Sequence, residues 1–214
     1  MTAFFFKDIP EYHMRKFCAV RDTLDNLDNL LNLAEIVSTS AHCKLARYED
    51  DFEIAIFSGD YCRALVRKSD GYFSMTIPFQ IVDDGGRVYF NHDETKEEVS
   101  GRFISIMRNA ILTSKEGTHS HEEIICSIAD SFGLGVQDAV QYYDTYTTLL
   151  TDDHGYFRFD DDPDNANENI HPRYHFDFFF KNTSSIKIGT DAVVDINCFY
   201  SLFDGGVPKH YLRM

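Results

Sequence analysis

Between positions 171 and 177 the chain runs His171, Pro172, Arg173, Tyr174, His175, Phe176 and Asp177. Along an extended strand, side chains alternate between faces, which puts Tyr174, Phe176, Phe178 and Phe180 on one side. His175, Asp177 and Phe179 take the other. One face is aromatic and suited to a core, while the opposite face sets an imidazole beside a carboxylate. The preceding segment repeats the pattern, with Phe157 and Phe159 on the aromatic side and Tyr156, Arg158 and Asp160 opposite. Antiparallel pairing of the two strands would bring Arg158, Asp160, His175 and Asp177 onto one polar surface. Pro172 biases His171 toward an extended conformation, from which it could reach the same surface.

Two chemistries suit this cluster. A divalent metal accepts imidazole and carboxylate ligands and activates water, with His171, His175 and Asp177 as the ligands. Alternatively, a His–Asp pair makes a general base, and Arg158 holds a phosphate or carboxylate. His154, beside Gly155, would be a third histidine for a metal. The same residues also suit a structural network in which Arg158 bridges Asp160 or Asp177. His119 and His121 flank an expected helix N-terminus, where capping and solvent exposure suffice to explain them. Gly-rich phosphate loops, a nucleophile elbow and the paired-histidine helix of zinc proteases are all absent.

The elements that must position these groups follow from periodicity. Over 11–37, Phe17, Val20, Leu24, Leu27, Leu31 and Ala34 recur at helical spacing, with Asn and Asp filling the other positions. Over 44–91 the period falls to two, and Asp83, Asp84, Gly85 and Gly86 mark a hairpin, so a meander of four or five antiparallel strands is expected. Thr95 with Glu98, and Ser120 with Glu123, have capping-box spacing for two helices, the second ended by Gly133. A third helix is predicted over 136–150. Strands are predicted over 156–160, 174–180 and 185–189, then a closing helix over 193–203. The class is α+β: an N-terminal helix, an antiparallel meander, a helical segment and a C-terminal three-stranded antiparallel unit with a closing helix. Residues 1–150 and 151–214 form its two parts, packed as one domain. The stretch 160–169, rich in Asp and Asn, reads as a mobile loop.

Charge is unevenly placed. From Glu116 to Glu168 there are thirteen acidic residues against one basic, Arg158, so this quarter of the chain carries −12 of the net −15. The segment 128–140 has a helix-turn-helix outline, but a phosphate backbone requires Lys and Arg contacts that it lacks, so direct DNA binding through 116–168 is not expected. A docking face for a basic protein is the functional reading, with Asp152, Asp153, Asp161 and Asp162 at its centre. Five cysteines without paired spacing point to a reducing, cytoplasmic setting. No apolar run approaches the roughly 18–20 residues that span a bilayer, so no membrane partner is expected.

The runs 157–160 (Phe, Arg, Phe, Asp), 171–175 (His, Pro, Arg, Tyr, His), 186–189 (Ile, Lys, Ile, Gly) and the closing Phe199 and Tyr200 resemble the C-terminal signature of the bacterial domain-of-unknown-function 2290 family. The resemblance covers roughly the last third of the chain. It implies a bacterial accessory protein and carries no mechanism, since no activity is established for the family. Orphan families of this kind sit among defence and toxin–antitoxin genes. Two functions are therefore expected: a subunit of such an assembly that docks a basic partner, or a metal- or His-dependent hydrolase of phosphodiesters built on 171–177.

Overall fold

The computed structural model describes residues 1–117, 120–152, 155–167, 170–178 and 186–209. In chain order the elements are β1 (Thr2–Phe6), α1 (Glu11–Met14), α2 (Thr23–Thr39), β2 (Ile54–Ser58), β3 (Arg63–Lys68), β4 (Gly71–Thr76), β5 (Gln80–Asp83) and β6 (Val88–Asn91). They continue with α3 (Gly101–Glu116), α4 (His121–Phe132), α5 (Val136–Thr151), β7 (Phe157–Asp161), β8 (Tyr174–Phe178), β9 (Ile186–Thr190) and α6 (Ile196–Phe203). The class is α+β, as the sequence predicts. Two units divide the chain. One holds Met1–Asp8, Cys43–Ile77 and His154–Met214; the other holds Ile9–His42 and Pro78–Asp153. None of the described helices is long and apolar enough to cross a membrane.

The first unit is built on a seven-stranded sheet ordered β1-β2-β3-β4-β7-β8-β9, antiparallel throughout. Alternation gives each strand an aromatic or aliphatic row on one face. Phe57, Leu65, Phe157, Phe159 and Phe176 meet Phe199 and Phe203, which sit one turn apart on α6. The Asp195 side chain caps α6 by accepting the Cys198 N–H. Strands β7, β8 and β9 pair antiparallel in order as expected, and β7 also pairs with β4, which joins them to the strands of 54–76; the two units interleave along the chain. Gly71 makes that junction possible. Its φ is +144°, and a Cβ there would lie 1.9 Å from the Phe159 carbonyl oxygen. Strand β1 was hidden in the sequence, where 2–6 reads as a short apolar stretch; its partner β2 lies some fifty residues on.

The second unit gathers α1 to α5 and the β5–β6 hairpin, which closes through Asp83 to Gly86 as expected but forms its own two-stranded sheet. The helix predicted over 11–37 breaks after Met14 and restarts at Thr23, capped by Asp22. The asparagines explain the break. Asn29 accepts the Cys18 N–H at 2.9 Å and donates to the Cys18 carbonyl at 2.8 Å, while Asn32 donates to the Lys16 carbonyl. Both are buried and hold the intervening segment in a non-helical path. The first capping box is also redirected. Helix α3 starts at Gly101 under a Ser100 cap, because Glu98 is taken by the guanidinium fork of Arg87 at 2.9 and 3.1 Å. Ser120 does precede α4, but its hydroxyl donates to Glu122 and does not accept from the N–H groups of the helix end.

His92 is buried beside Phe79 and Phe103, and that burial holds its pKa below the ordinary 6.5. The unfolded chain therefore takes up a proton that the folded ring resists. This contribution to stability is complete above pH 6.5 and is lost as pH falls from there toward the lower folded value. We expect urea midpoints measured at about pH 7.5 and about pH 5.5 to differ, and His92→Gln to narrow the difference.

Candidate functional site

Register decides what the polar face of β7, β8 and β9 carries. Arg158 is opposite Asp177, and Asp177 is opposite Lys187; one step along, Asp160 is opposite His175, and His175 is opposite Gly189. Two rows result, one of alternating charge and one that places the imidazole between a carboxylate and a glycine. The Lys187 ammonium donates to Asp177 at 2.9 and 3.0 Å and to His175 Nε2 at 2.8 Å. Arg158 reaches Asp177 at 2.6 Å and Asp160 at 3.0 Å. Asp160, His175 and Asp177 each point a ligand atom inward, and these three atoms lie within 4.8 Å of one another.

The imidazole is held from both ends. His175 is 1% exposed, and its Nδ1 lies 2.7 Å from the Pro172 carbonyl, which can only accept. The proton therefore sits on Nδ1, and Nε2 offers its lone pair to Lys187. Pro172 earns its place twice: its ring also packs over Gly189, where a Cβ would come within 2.8 Å of the proline Cγ. We expect Gly189→Ala to push Pro172 and its carbonyl off His175, at a cost of about 1–3 kcal/mol. A displaced His175 Nδ1 proton resonance would register the shift; an unmoved resonance would count against this account.

The two carboxylates are driven apart. Burial pushes Asp160 up, and Arg158 only partly offsets it. For Asp177 burial also pushes upward, but hydrogen bonds from Lys187 and Arg158 outweigh it and leave the carboxyl below its usual range. Arg158 is itself opposed by burial, yet Asp160 and Asp177 hold it above its ordinary value. Neighbouring acids with oppositely shifted pKa values are a recurrent mark of acid–base sites, and also of ion-pair networks.

Of the residues singled out from sequence, Arg158, Asp160, His175 and Asp177 come together. His171 stands beside them: its Nε2 lies 3.1 Å from Asp162 and its ring is edge-on to His175 at 4.8 Å, while the group of three converging atoms is made by Asp160, His175 and Asp177. His119, Asp153, His154, Phe179 and Phe180 lie outside the described residues. His121 is exposed beside Glu122. In the described part of the stretch read as a mobile loop, 160–167, Asp160 and Asp161 belong to β7, Asp162 accepts from the backbone and side chain of Asn165, and Asn167 pairs with His171. Asp161 is held by Arg173 at 2.8 Å, whereas Asp152 is exposed at the end of α5. Of the acids expected to dock a partner, Asp161 and Asp162 thus bond within the β7–β8 hairpin, and Asp152 belongs to the other unit.

Lys187 was missed as a site residue. Its signal was present, since Ile186, Lys187 and Ile188 continue the alternation of β7 and β8, but only pairing with β8 shows which residue it faces. No protein family, curated protein or solved structure matches the chain.

Proposed function

We propose that the polar face of β7, β8 and β9 is the active centre of a metal-assisted hydrolase acting on phosphodiesters. The observation that supports this reading is the convergence of Asp160, His175 and Asp177 within 4.8 Å, ringed by two cations. Imidazole and carboxylate oxygens form an ordinary donor set for Zn²⁺ or Mn²⁺, which would supply an activated water. Arg158 and Lys187, 30% and 20% exposed, are placed to neutralise an arriving phosphate. The test is turnover of bis(p-nitrophenyl) phosphate and of single- and double-stranded nucleic acid with Mg²⁺, Mn²⁺ or Zn²⁺. Asp160→Asn and His175→Ala should each cut turnover by about 100-fold or more, and Asp160→Asn should leave the melting temperature nearly unchanged. A wild-type protein inert with every metal, or variants as active as wild type, would reject the reading.

A second reading has its own support. Helices α4 and α5 expose Glu122, Glu123, Asp130, Asp138, Asp144 and Asp152, and the sequence has no Lys or Arg between Glu116 and Phe157. This surface would repel nucleic acid and suit a basic protein, as in a bacterial defence or toxin–antitoxin assembly of the kind the 2290 resemblance implies. Reversing Asp138, Asp144 and Asp152 should then abolish co-purification with the partner. Asp161 and Asp162, already bonded within the β7–β8 hairpin, should be dispensable for it. Retained complex formation after the triple reversal would sink this reading.

A further inference from the structure

Lys187 occupies an unusual place in its cluster. Its ammonium lies between His175 and Asp177, 2.8 Å from His175 Nε2 and 2.9 and 3.0 Å from the two Asp177 oxygens, while Asp160 is held by Arg158 at 3.0 Å. Those are the contact lengths of an ammonium; a divalent metal would sit at about 2.0–2.2 Å from the same atoms. The spacing of the ligands agrees. His175 Nε2 stands 3.8 Å from Asp177 and 3.9 Å from Asp160, whereas four ligands around a tetrahedral metal are about 3.4 Å apart. These two separations exceed the tetrahedral value by about half an ångström, which leaves room for the longer contacts of an ammonium.

We propose that Lys187 is the resident cation of this site: its ammonium stands in for a divalent ion and has to swing out before a metal can be bound by Asp160, His175 and Asp177. This rests on reading the cluster as a cation-binding centre, but not on the reaction assigned to it. A 2+ ion and an ammonium cannot share the position, because their repulsion at contact distance in a half-buried site far exceeds thermal energy. The fold gives the lysine a way out. Strand β9 ends the sheet order, and the Lys187 side chain keeps 20% of its surface in solvent. His175 cannot move in its stead, being 1% exposed and tied through Nδ1 to Pro172. Arg158 bonds both carboxylates, at 2.6 Å to Asp177 and 3.0 Å to Asp160, and so lowers the charge they offer to a metal. Metal binding is thus weak by design and strengthens when the displaced ammonium gains a new anionic partner, such as a phosphate oxygen of a substrate.

The experiment measures metal binding, not turnover. Zn²⁺ affinity by calorimetry, and the ligand-field band of bound Co²⁺, are compared for wild type and Lys187→Met. The expected result is affinity at least about 100-fold tighter in the variant, since removing a like charge at this distance is worth several RT. Adding His175→Ala to Lys187→Met should abolish the gain. Equal affinity in wild type and Lys187→Met overturns the proposal, as does a gain that survives loss of His175. A wild-type measurement covers the case of a variant that does not fold: reductive methylation of Lys187, followed by mass spectrometry, should accelerate when Zn²⁺ is added. Metal bound with no change in Lys187 labelling would overturn the proposal directly. The two ideas fail separately. Tighter binding without phosphodiester turnover leaves the cation exchange standing and removes the hydrolase; metal-dependent turnover without tighter binding does the reverse.

Discussion

Asp177→Ala is expected to destabilise the protein by about 3 kcal/mol in urea unfolding, because it strands two half-buried cations at once. Asp177 is the common acceptor of Lys187 and Arg158, and with its side chain 17% exposed, water replaces it only in part. Asp177→Asn should cost about half as much, since an amide oxygen still accepts one of the donors. Asp160→Asn should behave differently and be close to neutral. Burial penalises that carboxylate, and Arg158 retains Asp177 when it is neutralised. The acid limbs carry the same contrast. Asp177, held low, contributes stability that is complete above the ordinary 3.8 and is lost as pH falls through its depressed folded value. Asp160, held high, has the opposite sign: its protonated form favours the folded state, and that contribution disappears as pH rises through its elevated folded value. If Asp160→Asn proves as damaging as Asp177→Ala, the assignment of the two carboxylates is wrong.

Phe159→Ala should be the most damaging single change to the sheet, with a loss of about 3–5 kcal/mol and a fall in melting temperature of about 10 °C. Phe159 is 1% exposed, stands 5.1 Å from the Phe176 ring and lies in the cluster that joins the sheet to α6. Truncation removes a large apolar area and leaves a cavity between rigid layers that cannot collapse. Because Phe159 lies between Arg158 and Asp160 in β7, the loss should also loosen the polar face behind it. Phe178→Ala, at a half-buried position near the end of β8, should cost far less. Similar losses at both positions, by calorimetry, would mean that the aromatic face is not the anchor of these strands.

The chemistry-bearing face was legible in the chain because a strand's alternation is local. Phe157, Phe159 and Phe176 on one side, with Arg158, Asp160, His175 and Asp177 on the other, follow from a period of two and survive in the fold. So do the β5–β6 hairpin and the span of α5, whose signals are also carried by near neighbours. Where a distant residue competes for a polar group, local signals mislead. Glu98 has capping-box spacing but belongs to Arg87; the asparagines of α2 look solvated but bond the backbone of 16–18. His171 is expected at the cluster because Pro172 extends the chain there, yet its Nε2 meets Asp162, which is shaped by its turn with Asn165.

Thus the residues of 171–177 settled by themselves that one strand would be aromatic in front and polar behind. They also placed Pro172, whose carbonyl meets His175 Nδ1, three positions before it. Only the tertiary structure decided the register, and register decides which charge meets which. Antiparallel pairing of β9 with β8 set Lys187 against Asp177 and within reach of His175. Pairing of β7 with β4 made the C-terminal strands part of the large sheet. Side-chain periodicity is a property of each strand alone, whereas pairing is chosen by backbone hydrogen bonds and buried area summed over strands far apart in the chain.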